Sequence, residues 1–253
     1  MKKYLALILA LVMAFALCAC GQTAAPADTA PATETAADAA APAADDANSK
    51  LVGVAMPTKD LQRWNQDGEN MKAQLEAAGY EVDLQYASND IQTQVSQIEN
   101  MVATGCKVLV IASIDGDSLG TVLAQAKEAG IPVIAYDRLI MNSDAVSYYA
   151  TFDNWLVGVK QGEFIRDALD LDNAGDKTFN IEFITGDPGD NNINFFFGGA
   201  MEVLQPYLDK GTLVCPSGQT EKTDVATANW ATDAAQSRFE SILASYYADG
   251  TTL

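Results

Sequence analysis

The chain has 253 residues, 15 Lys and Arg against 34 Asp and Glu, no histidine and four cysteines. A formal charge of −19 excludes nucleic acid, whose phosphates are held by excess Lys and Arg, and it opposes docking of a basic patch on anionic lipid. The lack of histidine removes Ser-His-Asp and Cys-His catalysis and most zinc chemistry, while an apolar fraction of 49% is enough to build a core in one large domain or two modest ones.

Lys2 and Lys3 precede an apolar run over residues 5–17 that is too short for a comfortable membrane span, so residues 1–19 read as a secretory signal peptide. The run ends at Leu17-Cys18-Ala19-Cys20, which resembles the lipobox of bacterial lipoproteins. That resemblance implies that Cys20 is diacylated and becomes the new N-terminus. Residues 21–50 contain thirteen Ala, three Pro, five acidic residues and no large apolar one. They cannot form a core, and together with Cys20 they read as a disordered tether over 20–50. Extended, it spans at most ~100 Å, which keeps a folded body close to the extracytoplasmic face of a membrane.

From residue 51 the pattern alternates. Residues 51–55 (LVGVA) read as a buried strand, 61–78 as a helix ended by Gly79, 80–86 as an alternating strand, and 91–104 as a helix capped by Asn89 or Asp90. Residues 108–112 (VLVIA) carry the strongest buried-strand signal. A helix capped by Asp117 or Ser118 runs to Ala129, followed by strands at 132–136 and 148–151. Then come a helix at 154–168, a strand at 179–185, a helix at 194–208, a strand at 213–215 and a helix at 231–246. Apolar strands alternating with amphipathic helices predict parallel sheets covered on both faces. With four units before Tyr136 and a second series starting near Tyr148, the expected architecture is α/β: two doubly wound lobes, 51–152 and 153–253, with a ligand cleft between them. Cys106 and Cys215 fall in different lobes and read as small apolar fillers rather than a disulfide.

In such sheets ligands bind beyond the carboxyl ends of the strands. Those places hold Arg63 and Trp64, Asp115 and Asp117, Asp137 and Arg138, the loop Asp190-Asn191-Asn192, and Trp230 ahead of the last helix. Planar forks of carboxylate, carboxamide and guanidinium match hydroxyls that both donate and accept, and the C–H faces of a sugar ring suit an indole. No glycine-rich phosphate loop is present, and Asp115 with Asp117 lacks the further ligands of a calcium loop; no metal or cofactor is expected. Each residue also has a plainer reading. Trp64 suits a core, Asp137 and Arg138 an ion pair with each other, Arg63 a solvated helix face, the Asp190 loop a helix cap, and residues 195–197 core or cleft lining.

Leu61-Gln62-Arg63-Trp64, Ser96-Gln97-Ile98-Glu99-Asn100-Met101, Val108-Leu109-Val110-Ile111, Ala135-Tyr136-Asp137-Arg138, Phe152-Asp153-Asn154 and Asp190-Asn191-Asn192 together resemble the xylose-binding and multiple-sugar-binding receptors of bacterial ABC transporters, of the type I periplasmic-binding-protein class. The resemblance implies a monomeric, non-enzymatic, bilobal receptor that closes on a monosaccharide such as xylose, glucose or galactose and delivers it to a membrane permease; the alternative is a sensor presenting the bound form to a chemoreceptor or kinase. It implies Arg63, Trp64, Asp137 and Arg138 on the sugar from one lobe, Asp190, Asn191, Asn192 and Trp230 from the other, and Asp153 and Asn154 at the hinge. Family members continue beyond the point reached by Thr251-Thr252-Leu253, so the second lobe is expected to be incomplete.

Overall fold

The computed structural model describes residues 50–248 and 250. The expected signal peptide, the lipidated Cys20 and all of the tether before Lys50 lie outside the described residues. The first part of the fold holds β1 (Leu51–Met56), α1 (Gln62–Ala77), β2 (Glu81–Tyr86), α2 (Ile91–Ala103), β3 (Val108–Ile111), α3 (Gly120–Glu128), β4 (Val133–Tyr136) and β5 (Val146–Ala150). The second holds α4 (Asn154–Ala168), β6 (Phe179–Asn180), α5 (Asn192–Asp209), β7 (Leu213–Val214) and α6 (Thr232–Tyr246), with short 3-10 turns at Leu171–Asn173 and Ala228–Trp230.

The first five strands form one parallel sheet in the order β2-β1-β3-β4-β5. Side chains alternate across a strand, and both faces are buried. Val52, Val54 and Met56 pack with Trp64 and Val110 on one face, against Met71 and Leu75 of α1. Ala55, Leu109 and Ile111 pack with Ile98, Met101, Val122 and Leu123 on the other. Burying each large apolar side chain contributes about 1.5–3 kcal/mol, which explains why β1 and β3 carry almost continuous apolar runs. Asp90 caps α2 by accepting a hydrogen bond from Thr93 N at 2.7 Å. Cys106 and Cys215 are free thiols.

Four expectations are corrected. The residues near Tyr148 do not open a second series: β5 starts at Val146 and pairs in parallel with β4 as the fifth strand of the first sheet. The loop that joins them has no helix, and it is tied down by the bond from Met141 N to Gly116 O. Asp117 and Ser118 do not cap α3, because Asp117 accepts from Asn142 Nδ2 and Ser118 donates to Asp115; the residue at the cap position, Leu119, has no capping side chain. The strand expected at 179–185 is regular only over two residues, since β7 stops ahead of Pro216, which has no N–H to continue a ladder. Beyond it Thr185 N still donates to Val225 O at 2.8 Å. Finally, α5 begins at Asn192 rather than at 194, because Asp190 accepts from Asn192 N and starts the turn early.

Helices α4 and α5 cross closely. A β-carbon on Gly158 would lie 2.2 Å from Phe196 O, and one on Gly199 would lie 2.3 Å from Trp155 O. Glycine is required there for proximity. Phe152, just ahead of α4, and Leu156 and Phe164 on its outer side lie along a groove of about 830 Å³.

Candidate functional site

The strand order reverses direction between β1 and β3, the place where open parallel sheets bind ligands. Trp64, in the first turn of α1, is 3% exposed and packs into the core below β1. Its ring also carries two guanidiniums, with Arg63 Cζ 4.6 Å and Arg138 Cζ 5.1 Å from its centroid.

Asp137 follows β4 in the left-handed region at φ 63, uncommon for a residue with a side chain. Its backbone is fixed from several directions. Its N–H donates to Ala150 O at 2.8 Å. Its carbonyl accepts from Thr151 Oγ1 at 2.9 Å, Asn192 Nδ2 at 3.1 Å and Tyr149 OH at 3.2 Å. This geometry turns the carboxylate toward Arg63, whose Nη2 lies 2.5 Å away.

Arg138 is 6% exposed. Nη1 donates to Ser113 O at 3.0 Å and Ile114 O at 3.3 Å. Those carbonyls are aimed by buried Gln94 of α2, which donates to Ala112 O and accepts from Ile114 N. Arg138 Nε lies 3.1 Å from Asp190 Oδ2, but its N–H direction misses that oxygen, so the contact is an ion pair without a hydrogen bond. Burial lowers the Arg138 pKa against the opposing pull of Asp190 and Asp137.

Asp190 is 4% exposed. It accepts from Asn192 N through Oδ1 and from Trp230 Nε1 through Oδ2, both at 3.0 Å. Burial raises its pKa above the ordinary carboxylate value, opposed by the charge of Arg138. Asn192 spans the two parts of the fold, donating to Asp137 O and accepting from Asn154 Nδ2 at 2.9 Å and Tyr149 OH at 3.4 Å. Trp230 stands edge-on to Phe196, centroids 6.3 Å apart.

Leu61, Arg63, Trp64, Asp137, Arg138, Asp190, Asn192, Phe196 and Trp230 line one cavity of about 200 Å³. At ~30 Å³ per water it has room for about seven waters. Seven of the eight residues singled out from sequence meet there. Asn191 does not: at the start of α5 it turns away, and its Oδ1 accepts from Asn194 Nδ2. The plain ion pair between neighbours Asp137 and Arg138 does not form; each pairs with a partner distant in sequence. Asp153 caps α4 through Leu156 N at 2.9 Å, and Asn154 is buried against Asn192. Leu61 and Tyr149 were not singled out from sequence, because an apolar residue before a helix and a tyrosine on an edge strand carry no distinguishing pattern.

Comparison with known proteins agrees with this architecture. The multiple sugar-binding periplasmic protein SbpA of Azospirillum brasilense is 55% identical over 196 residues, 78% of this chain and 55% of its own length. The D-xylose-binding periplasmic protein of Escherichia coli is 38% identical over 162 residues, 64% of this chain and 47% of that protein. The chain thus spans about half the length of these relatives. A solved ABC transporter solute-binding protein from Clostridium phytofermentans, with bound β-D-glucose, is 72% identical and superposes with a TM-score of 0.79 over 81% of this chain and 63% of its own. With the periplasmic binding protein domain model matching residues 52–253, the chain belongs to that family and has its type I fold.

Proposed function

We propose that the chain is the sugar receptor of an ABC importer, closing on one neutral monosaccharide and performing no bond chemistry. The observation that carries this reading is the pairing of charges in the cavity wall: Arg63 with Asp137, and Arg138 with Asp190. Both guanidiniums are already paired, Arg63 with Asp67 as well, so an anionic ligand would find no free cation there and would lie at a high desolvation cost. A polyol meets forks that both donate and accept. Each neutral hydrogen bond contributes about 0.5–1.5 kcal/mol and each charge-assisted one about 1.5–3 kcal/mol, so several must act together.

In this reading Arg63, Asp137 and Arg138 grip hydroxyls, with Asp190 and Asn192 facing them from the other side. Trp64 and Trp230 are the walls against which the ring packs. The lobes meet at residues 152 and 153, with Asp153 and Asn154 as hinge, and a lipid on Cys20 holds the monomer at the extracytoplasmic face. The β-D-glucose bound to the 72% identical protein and the xylose-binding relative make glucose and xylose the first sugars to try. The purified chain is expected to melt at a higher temperature in D-glucose, D-xylose or D-galactose, with a shift that grows with the logarithm of sugar concentration. An unchanged melting temperature across a broad pentose and hexose panel removes this reading.

A further inference from the structure

Trp230 occupies an unfavourable backbone position. It and Asn229 are both left-handed, with φ of 54 and 57, a conformation that a bulky side chain adopts only when its surroundings impose it. The restraints come from the segment after β6. Thr227 N donates to Gly186 O at 2.9 Å, Asn229 N donates to the Asp187 carboxylate, and the indole N–H donates to Asp190. The six-membered ring of the indole lies directly over Gly186. A β-carbon at residue 186 would fall 2.0 to 2.3 Å from the ring atoms Cζ2, Cε2 and Cη2. No left-handed backbone explains a glycine here; the requirement is space.

We propose that Gly186 is a positioning residue for the Trp230 wall: it is the seat on which the indole rests, with Asp187 and Asp190 as its two anchors. Any side chain at 186 swings the ring off the cavity. This deepens the sugar-receptor reading and rests on it for its consequence on affinity, while the position of the ring can be read without any sugar. Three variants decide it: Gly186→Ala, Trp230→Leu and the double substitution, compared by near-ultraviolet circular dichroism in a Trp155→Phe background and by calorimetry with D-glucose. G186A is expected to lose the same indole band as W230L, and to bind D-glucose at least tenfold more weakly. The double variant should bind no worse than the weaker single one, because both changes remove the same wall.

An indole band in G186A like that of the parent overturns the proposal, as do affinity losses that add in the double variant. If the parent binds none of the sugars but G186A still matches W230L in the near-ultraviolet, the seat stands and the sugar reading fails. Should G186A fail to fold, the double variant decides. Recovery of the fold once the indole is removed supports the clash with Trp230, and persistent unfolding overturns it.

Discussion

Arg138 shares one guanidinium among two backbone carbonyls, the carboxylate of Asp190 and the face of Trp64. Removing one member of such a buried pair strands the other and costs about 3–5 kcal/mol. The titration of Asp190 has an unusual sign. Burial raises its folded pKa, so between the ordinary Asp value and the raised one the native state binds more protons than the unfolded state. The contribution of Asp190 to stability is therefore fully present at low pH and is lost as pH rises through that window. Asp190→Asn deletes this contribution, and urea melts at a series of pH values should give the variant a more positive slope of stability against pH than the parent. An equal or less positive slope contradicts the assignment. At this scale the sequence told which residues gather, because side chains beyond strand ends converge in a parallel sheet. It did not tell how they pair. The left-handed turn at Asp137 sends adjacent residues to different partners, and nothing in a linear pattern announces that turn.

Among the elements, the crossing of α4 and α5 bears most directly on the cavity, since the carbonyl that approaches Gly158 belongs to Phe196, whose ring is part of the lining. Gly158→Ala forces the two helices apart. Overpacking of this kind typically destabilises by about 1–3 kcal/mol, and here it also shifts a cavity wall. Urea denaturation should show the loss of stability, and calorimetry a weaker affinity for D-glucose; a variant unchanged in both would show that the helices separate without effect. Legibility followed pattern strength. Helix 154–168 matches α4 at both ends, because Asp153 caps it and its periodicity is unbroken. The strand expected at 179–185 shrank to two ladder residues, because a strand exists by virtue of its neighbours, and Pro216 ends one of them early. The helix periodicity also left open which side of α4 is covered, and Phe164 is 74% exposed.

At the level of the whole molecule, the alternation of strand and helix made the α/β class legible, while the assignment of β5 to the first sheet was not, since a fifth strand can join without a preceding helix. The two parts of the fold meet around the cavity through fasteners of their own. Asn192 reaches Asp137 O and Tyr149, Arg138 pairs with Asp190, and Gly116 N donates to Gly189 O at 3.3 Å. If the chain is a sugar receptor, a ligand reaches or leaves the cavity only once these contacts part, and that parting sets the ceiling on exchange. In stopped-flow mixing, the observed rate should level off as D-glucose concentration rises, marking the frequency of unlatching. A rate that climbs linearly to the highest concentrations would mean that the gate stands open at rest.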